Sequence, residues 1–211
     1  VATHWEADFC DMQASLPMPK PHNLLDYQLI NGLHVRCVDP NRRWEIRYDD
    51  GQGTQIDVRF DALMPAFDIH DPEMDPMVGA QTEAGKFAWG TAYNGHFDLT
   101  GHVTGSVTIR GRRIPIDCVS TMDHSWGPRP ERNKPTMTWL HGHFSKDLAF
   151  HAILGFDPAT GGKDLWLAHG YVLDKGQVLG LRAGTGTVVR RPEWYAETIA
   201  RELTDRNGRV W

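Results

Sequence analysis

The stretch GHVTGSVTIRGRRIPIDCVSTMDHSWGPR, residues 101–129, decides the fold class of this chain. Apolar and polar residues alternate on both sides of a central Arg-Gly-Arg turn, which is the pattern of a β-hairpin with two different faces. We therefore predict strands at residues 102–109 and 114–119. The second strand leads into the sequence DHSW at residues 123–126, and strand ends are where β-scaffolds commonly present functional groups.

The same alternation, bounded by Gly, Asp and Asn turns, continues along the chain on both sides of this hairpin. Residues 64–86 interrupt it with several prolines, and we expect a long loop or a short helix there. Residues 193–202 fit either a strand or a helical turn, and the β-branched Thr198 and Ile199 inside them favour a strand. The remaining alternation predicts strands at residues 33–38, 43–48, 55–60, 138–144, 148–156, 165–172 and 185–191.

The strand pattern predicts a mostly β fold of antiparallel strands, because the connections are short and consecutive strands then pair as neighbours. Closing such a sheet into a barrel removes its edges, and small barrels hold one small ligand. The Asp-Arg-Asn-Gly turn at residues 205–208 needs a returning strand, so we expect an incomplete β-structure at this end.

Composition and charge exclude several classes of function. The net charge is −5 and the Lys and Arg residues are dispersed, whereas nucleic-acid binding needs clustered cations. No apolar run reaches the ~18 residues of a membrane span, and the first residues do not resemble a signal peptide, so we expect a cytoplasmic protein. Cys10, Cys37 and Cys118 indicate neither a disulfide framework nor a zinc knuckle, and we expect Cys118 to be a small core residue.

Asp123, His124 and Trp126 are the best candidates for chemistry. On an extended segment His124 and Trp126 point to one side and Asp123 to the other. An imidazole transfers protons near neutral pH and an indole ring stabilises a nearby cation, which are the two requirements for reaction at a carbon–carbon double bond. The alternative is structural, with Asp123 capping backbone amides beside a core Trp126.

The spaced Gly and Val residues from Gly101 onward and the motif DHSWGPR at residues 123–129 resemble the carotenoid 1,2-hydratase (hydroxyneurosporene synthase) and AttH-like group. The resemblance implies a lipocalin-like architecture with two tandem β-domains. We place these domains at residues 1–130 and 131–211, on either side of the Pro-Arg-Pro linker. It also implies addition of water to a terpenoid double bond without a cofactor, with His124 handling the proton and Trp126 facing the cation.

The chain departs from this group on a later strand. The hydratases carry a Tyr-x-Asp pair there, whereas the aligned residues 148–152 read LAFHA and contain no carboxylate. We expect His151 to act as the acid or base in its place.

A set of histidines on predicted strands forms the second group of candidate residues: His141, His143, His151 and His169. His141 and His143 lie two residues apart and share a face, and Gly142 between them allows close approach. With Asp123 these imidazoles could bind zinc or iron, or they could be hydrogen-bonded histidines inside a polar-lined barrel. Their spacing matches no metal-site motif, so we expect no metal and assign His141, His143 and His169 to substrate binding.

Trp139 and Arg129 complete the expected substrate-binding residues. Trp residues are spread over nearly every predicted strand, and a minority lining a cavity would suit a large apolar ligand. Arg129 could anchor a carboxylate or phosphate, or it could pair with Asp123 as a structural ion pair.

Two functions from different classes follow from these residues. The first is a cofactor-independent hydratase/dehydratase or isomerase that acts on a double bond of an apolar, terpenoid- or polyketide-like molecule by acid–base catalysis. The second is a non-catalytic lipocalin-like carrier of an apolar small molecule. Both predict an apolar ligand.

Overall fold

The computed structural model describes residues 25–79, 94–127, 136–160, 165–193 and 195–211. Strands are the main element of these residues, and a short 3-10 turn covers Pro158–Thr160. The strands are β1 (Asp26–Gln28), β2 (His34–Asp39), β3 (Arg43–Asp49), β4 (Thr54–Ala62), β5 (Phe67–Asp68), β6 (Gly95–Ile109), β7 (Arg112–Trp126), β8 (Met137–His143), β9 (Leu148–Phe156), β10 (Leu165–Asp174), β11 (Gln177–Arg190) and β12 (Ala196–Asp205).

The expected fold class, mostly antiparallel β with a lipocalin-like architecture, is confirmed. Neighbouring strands in both sheets pair antiparallel, and each strand predicted from alternation overlaps a strand of the structure. Residues 196–202 lie in β12, so the strand favoured for this segment over a helical turn is confirmed there. Residues 64–79 contain turns and the short β5, and residues 80–86 of the expected loop lie outside the described ones. The described residues hold no helix of the length and apolarity that a membrane span requires.

The hairpin predicted at the centre of the sequence is formed by β6 and β7, which are 15 residues long each. Its turn residues Arg110 and Gly111 have φ angles of 50° and 76°. Positive φ at both central positions is the backbone of a type I′ turn, whose twist matches the twist of paired strands. The turn therefore fixes the register of the two longest strands.

The chain divides into two compact units, residues 1–62 with 102–118 and residues 63–101 with 119–211. Each unit is built from two separate stretches of the chain, and the expected domains at residues 1–130 and 131–211 stay a prediction. The boundary at residue 130 itself lies outside the described residues.

In the first unit, β1, β2, β3 and β4 form an antiparallel meander, and β4 is followed in the sheet by β6. Trp44 and Phe60 are cross-strand partners, and their buried rings meet edge to face at a centroid distance of 5.8 Å. Cys118 lies in this unit and is exposed, so the expectation of a core cysteine is wrong.

In the second unit, β12, β11, β10, β9 and β8 form a five-stranded sheet in that order. Because side chains alternate along a strand, β9 directs Ala152 and Leu154 to one face and His151 and Ile153 to the other. The first face carries an apolar core that also contains Leu167, Val172, Leu181 and Leu203. At the end of the chain, Val210 pairs back onto Thr204 after the turn at residues 205–208, which is the return that this turn predicted.

We expect Gly105→Ala to destabilise the first unit more than Gly111→Ala. Both glycines have positive φ, 143° and 76°. A Cβ at Gly105 would overlap the Asp57 carbonyl oxygen and lie 2.8 Å from Val58 Cα, whereas a Cβ at Gly111 has open space around it. Backbone strain alone costs about 1 kcal/mol at Gly111, and the overlap adds about 1–3 kcal/mol at Gly105. Urea unfolding followed by circular dichroism measures the free energy of unfolding of both variants. Equal losses of free energy in the two variants would contradict the expectation.

Candidate functional site: a buried histidine–aspartate cluster

The first part of β6, residues 95–101, belongs to the second unit and directs three polar side chains into the interior. His96, Asp98 and Thr100 are two residues apart and therefore share a face, and their exposed fractions are 2%, 0% and 0%. Burial of three consecutive polar positions on one strand face requires polar partners on the facing element.

The facing sheet supplies those partners from β9 and β10. His151, His169 and Tyr171 are all fully buried. His151 pairs across the strands with Tyr171 on one side and with His141 of β8 on the other. These residues form a polar row on the face of the sheet opposite its apolar core.

A β-bulge directs His169 to this polar face. The register of β10 against β9 shifts between Leu167, which pairs with Leu154, and His169, which pairs with Ile153. In a regular strand His169, two positions after Leu167, would face the apolar core as Leu167 does. The bulge reverses the side to which the following residues point, which is a recurrent use of bulges near functional sites.

The carboxylate of Asp98 is the centre of the cluster. Its Oδ2 accepts a hydrogen bond from His96 Nε2 at 3.2 Å and lies 3.2 Å from His151 Nε2 and 3.8 Å from His169 Nδ1. Its Oδ1 is buried and has no hydrogen-bond partner in the part of the chain that the structure describes. We call His96, Asp98, His151 and His169 the Asp98 cluster.

The charges of the cluster follow from its burial. Burial by itself would raise the pKa of Asp98, but the electrostatic attraction of His151 and His169 and the hydrogen bond from His96 outweigh it and hold this pKa below its ordinary value. Burial lowers the pKa of His169 to about 3 against the opposing attraction of Asp98. At neutral pH the cluster therefore contains an ionised Asp98 and a neutral His169.

A chain of histidines connects the cluster to the surface. Nδ1 of His151 and Nδ1 of His141 are hydrogen-bonded at 3.2 Å, and the two rings stack at a centroid distance of 4.7 Å. His141 stacks in turn on His143, at 6.0 Å. His141 and His143 are both exposed to solvent. Partial desolvation against the sheet and the charge of His151 lower the pKa of His141 to about 4.

A chain of hydroxyl groups runs beside the histidines. The Tyr171 and Thr100 hydroxyls are 2.7 Å apart, Thr100 and Thr121 are 3.2 Å apart, and Thr121 is 2.8 Å from His143 Nε2. Burial is the main cause of a raised pKa at Tyr171, so this phenol stays protonated. Two hydrogen-bonded routes therefore lead from the interior to the face of β8.

The candidates Asp123, His124 and Trp126 lie on both sides of β7. His124 and Trp126 share an exposed face, as expected, with ring centroids 5.6 Å apart, and His124 stacks on Phe97 at 5.3 Å. Asp123 points the other way, and its Oδ1 lies 3.7 Å from His96 Nδ1 at the Asp98 cluster. The strand thus separates His124 and Trp126 from the buried histidines.

The other sequence candidates divide in a similar way. His151 and His169 belong to the Asp98 cluster, while His141 and His143 lead outward from it. Trp139 is 41% exposed on the same face of β8 as these two. Arg129 lies outside the described residues.

Sequence reasoning missed His96, Asp98, Thr100 and Tyr171. The signal for the first three was present as His-x-Asp-x-Thr, with Phe97 and Leu99 at the intervening positions. That alternation predicts a strand with one polar face. His96 and Asp98 on that face are both of residue types that bind metal ions, which indicates a candidate site.

Three residues of the cluster have the arrangement of metal ligands. One nitrogen or oxygen atom from each of His96, Asp98 and His169 lies within 4.8 Å of the others, and all three residues are buried. Two imidazoles and one carboxylate form a donor set that suits zinc, iron or manganese.

The apolar face of the same sheet carries a cavity of about 280 Å³. Its lining comes from β9, β10, β12 and two residues outside the strands. It consists mainly of Phe144, Leu148, Phe150, Val172, Leu203 and Trp211, with Arg201 as the charged member. Such composition is typical of sites for small apolar molecules.

Comparison with known proteins places the chain in one family. The family model described as Domain of unknown function (DUF7064) matches residues 2–211, and the chain belongs to this family. No curated protein and no solved structure matches it. The description names no reaction or ligand, so the geometry of the second unit is the basis for its function.

The buried histidines predict that acid destabilises the protein. In the unfolded chain a histidine titrates near pH 6.5, whereas the pKa values of His169 and His141 are about 3 and 4 in the folded protein. Protonation below pH 6.5 therefore favours the unfolded chain, and the free energy of unfolding falls as the pH drops toward 4. For the fully buried His169 the slope is about 1.4 kcal/mol per pH unit.

Urea unfolding between pH 7.5 and 4.5, in buffer containing EDTA, measures this slope. The variant His169→Gln should show a slope shallower by about 1.4 kcal/mol per pH unit than the wild type. The same slope in both proteins would mean that His169 does not titrate on unfolding.

Proposed function

We propose that the protein is an acid–base enzyme, a hydratase/dehydratase or an isomerase, that acts on a carbon–carbon double bond of an apolar, terpenoid- or polyketide-like molecule. The observation that carries the proposal is the continuous chain from the buried carboxylate of Asp98 through His151 to the partly exposed His141. A buried carboxylate that orients an imidazole is a recurring device for activating a proton-transfer group.

His141 is the residue that exchanges a proton with the substrate. Its Nδ1 is bonded to His151, so Nε2 is the ring nitrogen that meets the substrate. When His151 is neutral, Nδ1–H of His141 donates to Nδ1 of His151 and Nε2–H of His151 lies beside Asp98. The outer Nε2 of His141 then carries a lone pair and acts first as a base. The positive charge that His141 gains is then stabilised by the carboxylate at the other end of the chain.

The reaction that suits this arrangement begins at a carbon between the double bond and a carbonyl group of a polyketide-like substrate, because a histidine removes a proton only from a carbon that a carbonyl group acidifies. Nε2 of His141 removes a proton from that carbon, exchanges it with solvent at the exposed ring, and delivers a proton to the far end of the shifted double bond, which completes an isomerisation. In a dehydration Nε2 of His141 removes the same proton and then delivers it to the departing hydroxyl group, which leaves as water. A positioned general base of this kind contributes ~10²–10⁴-fold in rate.

Trp139 and His151, which were proposed from the sequence, both lie near His141 and have a role in the proposed reaction. Trp139 lies two positions earlier on the same face of β8, where its exposed ring can contact an apolar substrate or face a developing cation. His151 is the orienting group behind His141. His124 and Trp126 lie on the face of β7 that points away from Asp98, His151 and His141. Among the described residues they have no contact with these three, so we assign the proton transfer to His141.

A second candidate function is a carrier of an apolar small molecule. The observation that favours it is the cavity of about 280 Å³ among Phe144, Leu148, Phe150 and Trp211. The cavity lies on the face of the sheet opposite His141, so it can hold a ligand without contact with the acid–base chain. Arg201 in its lining suits a ligand with an anionic end.

The enzyme proposal predicts transfer of deuterium from solvent to carbon. The wild type is incubated in D₂O with a panel of terpenoid and polyketide alkenes and alcohols, and the products are analysed by mass spectrometry after return to H₂O. An isomerisation or a hydration leaves one non-exchangeable deuterium on carbon. We expect His141→Gln to reduce the rate of incorporation by ~10²–10⁴-fold.

The matched control is His102→Gln, which removes a histidine paired with Asp117 in the first unit. This variant should retain the wild-type rate. An unchanged rate in folded His141→Gln would refute the assignment of the base. Compounds that bind with neither deuterium uptake nor loss of water would leave the carrier as the function.

The carrier proposal predicts saturable binding of an apolar anion to the cavity. The probe is 1-anilinonaphthalene-8-sulfonate, whose fluorescence rises in apolar surroundings. Leu148→Trp fills part of the cavity and should weaken binding about tenfold or more, since ~1.4 kcal/mol corresponds to a factor of ten. Leu165→Trp is the control, because Leu165 packs against the same core without lining the cavity. Equal affinities in the two variants would place the probe elsewhere.

A further inference from the structure

We infer that His96, Asp98 and His169 form a binding site for one divalent first-row transition-metal ion, of which zinc and iron(II) are the best-suited examples. The inference goes beyond the proposed function, because of the residues that carry the proposed proton transfer only Asp98 is among these ligands, and His141 and His151 are not. It departs from our expectation of a metal-free protein, which was based on the spacing of the histidines in the sequence.

The distances in the cluster fit a metal ion. Ligand atoms about 2.0–2.1 Å from a tetrahedral metal lie about 3.3 Å from one another. Oδ2 of Asp98 is 3.2 Å from His96 Nε2 and 3.8 Å from His169 Nδ1. One ion can therefore be held by small side-chain rotations, without movement of β6 or β10.

A second observation is the unsatisfied carboxylate. Oδ1 of Asp98 has no hydrogen-bond partner among the described residues although the side chain is fully buried. His151 Nε2 lies 3.2 Å from Oδ2 but lacks hydrogen-bond geometry. A buried ionised group without full hydrogen bonding is rare in proteins, and a cation beside the carboxylate would supply the missing interaction.

The surroundings of the ligands also resemble those of metal sites. In such sites a ligating histidine presents its other ring nitrogen to a carboxylate, which fixes the orientation and tautomer of the ring. His96 has this arrangement, with Nε2 at Asp98 and Nδ1 3.7 Å from Asp123 Oδ1. His151 stands behind the ligating carboxylate in a similar way.

The donor types select the class of metal. Two imidazoles and one carboxylate suit zinc, iron(II) or manganese, whereas calcium and magnesium prefer oxygen donors alone. Three protein ligands leave at least one coordination position for water or for a substrate atom, as in catalytic metal sites. The site thus has the composition of a reactive centre rather than of a closed structural one.

The test measures metal binding and not turnover, so its result is independent of the proposed proton transfer. Protein freed of metal with EDTA is titrated with Co²⁺, whose visible absorption reports coordination, and with Zn²⁺ by calorimetry. We expect one ion per chain in the wild type. Asp98→Asn and His169→Gln should each weaken binding by 100-fold or more, because each removes a ligand that contacts the ion directly.

Two controls separate this site from other histidines. Asp117→Asn alters a carboxylate that is paired with His102 in the first unit and should bind the metal as the wild type does. His141→Gln should also retain the metal, which excludes a surface site at His141 and His143. Loss of metal in His141→Gln, with retention in Asp98→Asn, would overturn the inference.

If Asp98→Asn and His169→Gln do not fold, a measurement on the wild type alone still tests the metal site. The ¹¹³Cd chemical shift of the cadmium-loaded protein distinguishes nitrogen and oxygen donors from sulfur. A shift typical of mixed nitrogen and oxygen ligands, in a one-to-one complex, is the expected result. A thiolate shift, or the absence of a stoichiometric complex with Co²⁺, Zn²⁺ and Cd²⁺, would show that the cluster is not a metal site.

Discussion

The second unit depends on one constraint, the burial of the Asp98 carboxylate. An ionised carboxylate away from water is unstable unless charged or hydrogen-bonding partners surround it. Here the partners are imidazoles from three strands, His96 on β6, His151 on β9 and His169 on β10. Because each imidazole has a second nitrogen, the polar contacts continue outward to Asp123 and His141. The burial of polar side chains on the facing strands β6, β9 and β10 follows from Asp98.

Regular strands hold these side chains in place, and one irregularity completes the site. Strand alternation places His96, Asp98 and Thr100 on one face of β6 without any special device. The bulge after Leu167 is needed to direct His169 to the same interior as Asp98. Side chains on paired strands lose little freedom when a ligand or metal binds, which suits a site that needs fixed geometry.

The five-stranded sheet separates two kinds of chemistry. One face carries the histidines and Tyr171, and the other carries the apolar core and the cavity near Phe150 and Trp211. The two proposed functions correspond to these two faces. Since neither face uses the side chains of the other, a catalytic role and a ligand-binding role are compatible in one protein.

The sequence by itself determined the strands, the position of the turn at Arg110 and Gly111, and the shared face of His124 and Trp126, because these depend on alternation and on turn-forming residues. It did not determine which histidines meet. Thr100 and Tyr171 are 71 residues apart in the chain and hydrogen-bonded in the structure, and the side to which His169 points depends on a bulge that leaves no period-two signal. Contacts of this kind depend on strand register and sheet packing, which arise from the sum of many weak interactions along both sheets. Only the tertiary structure therefore decided that the buried centre is Asp98 rather than the motif at residues 123–126.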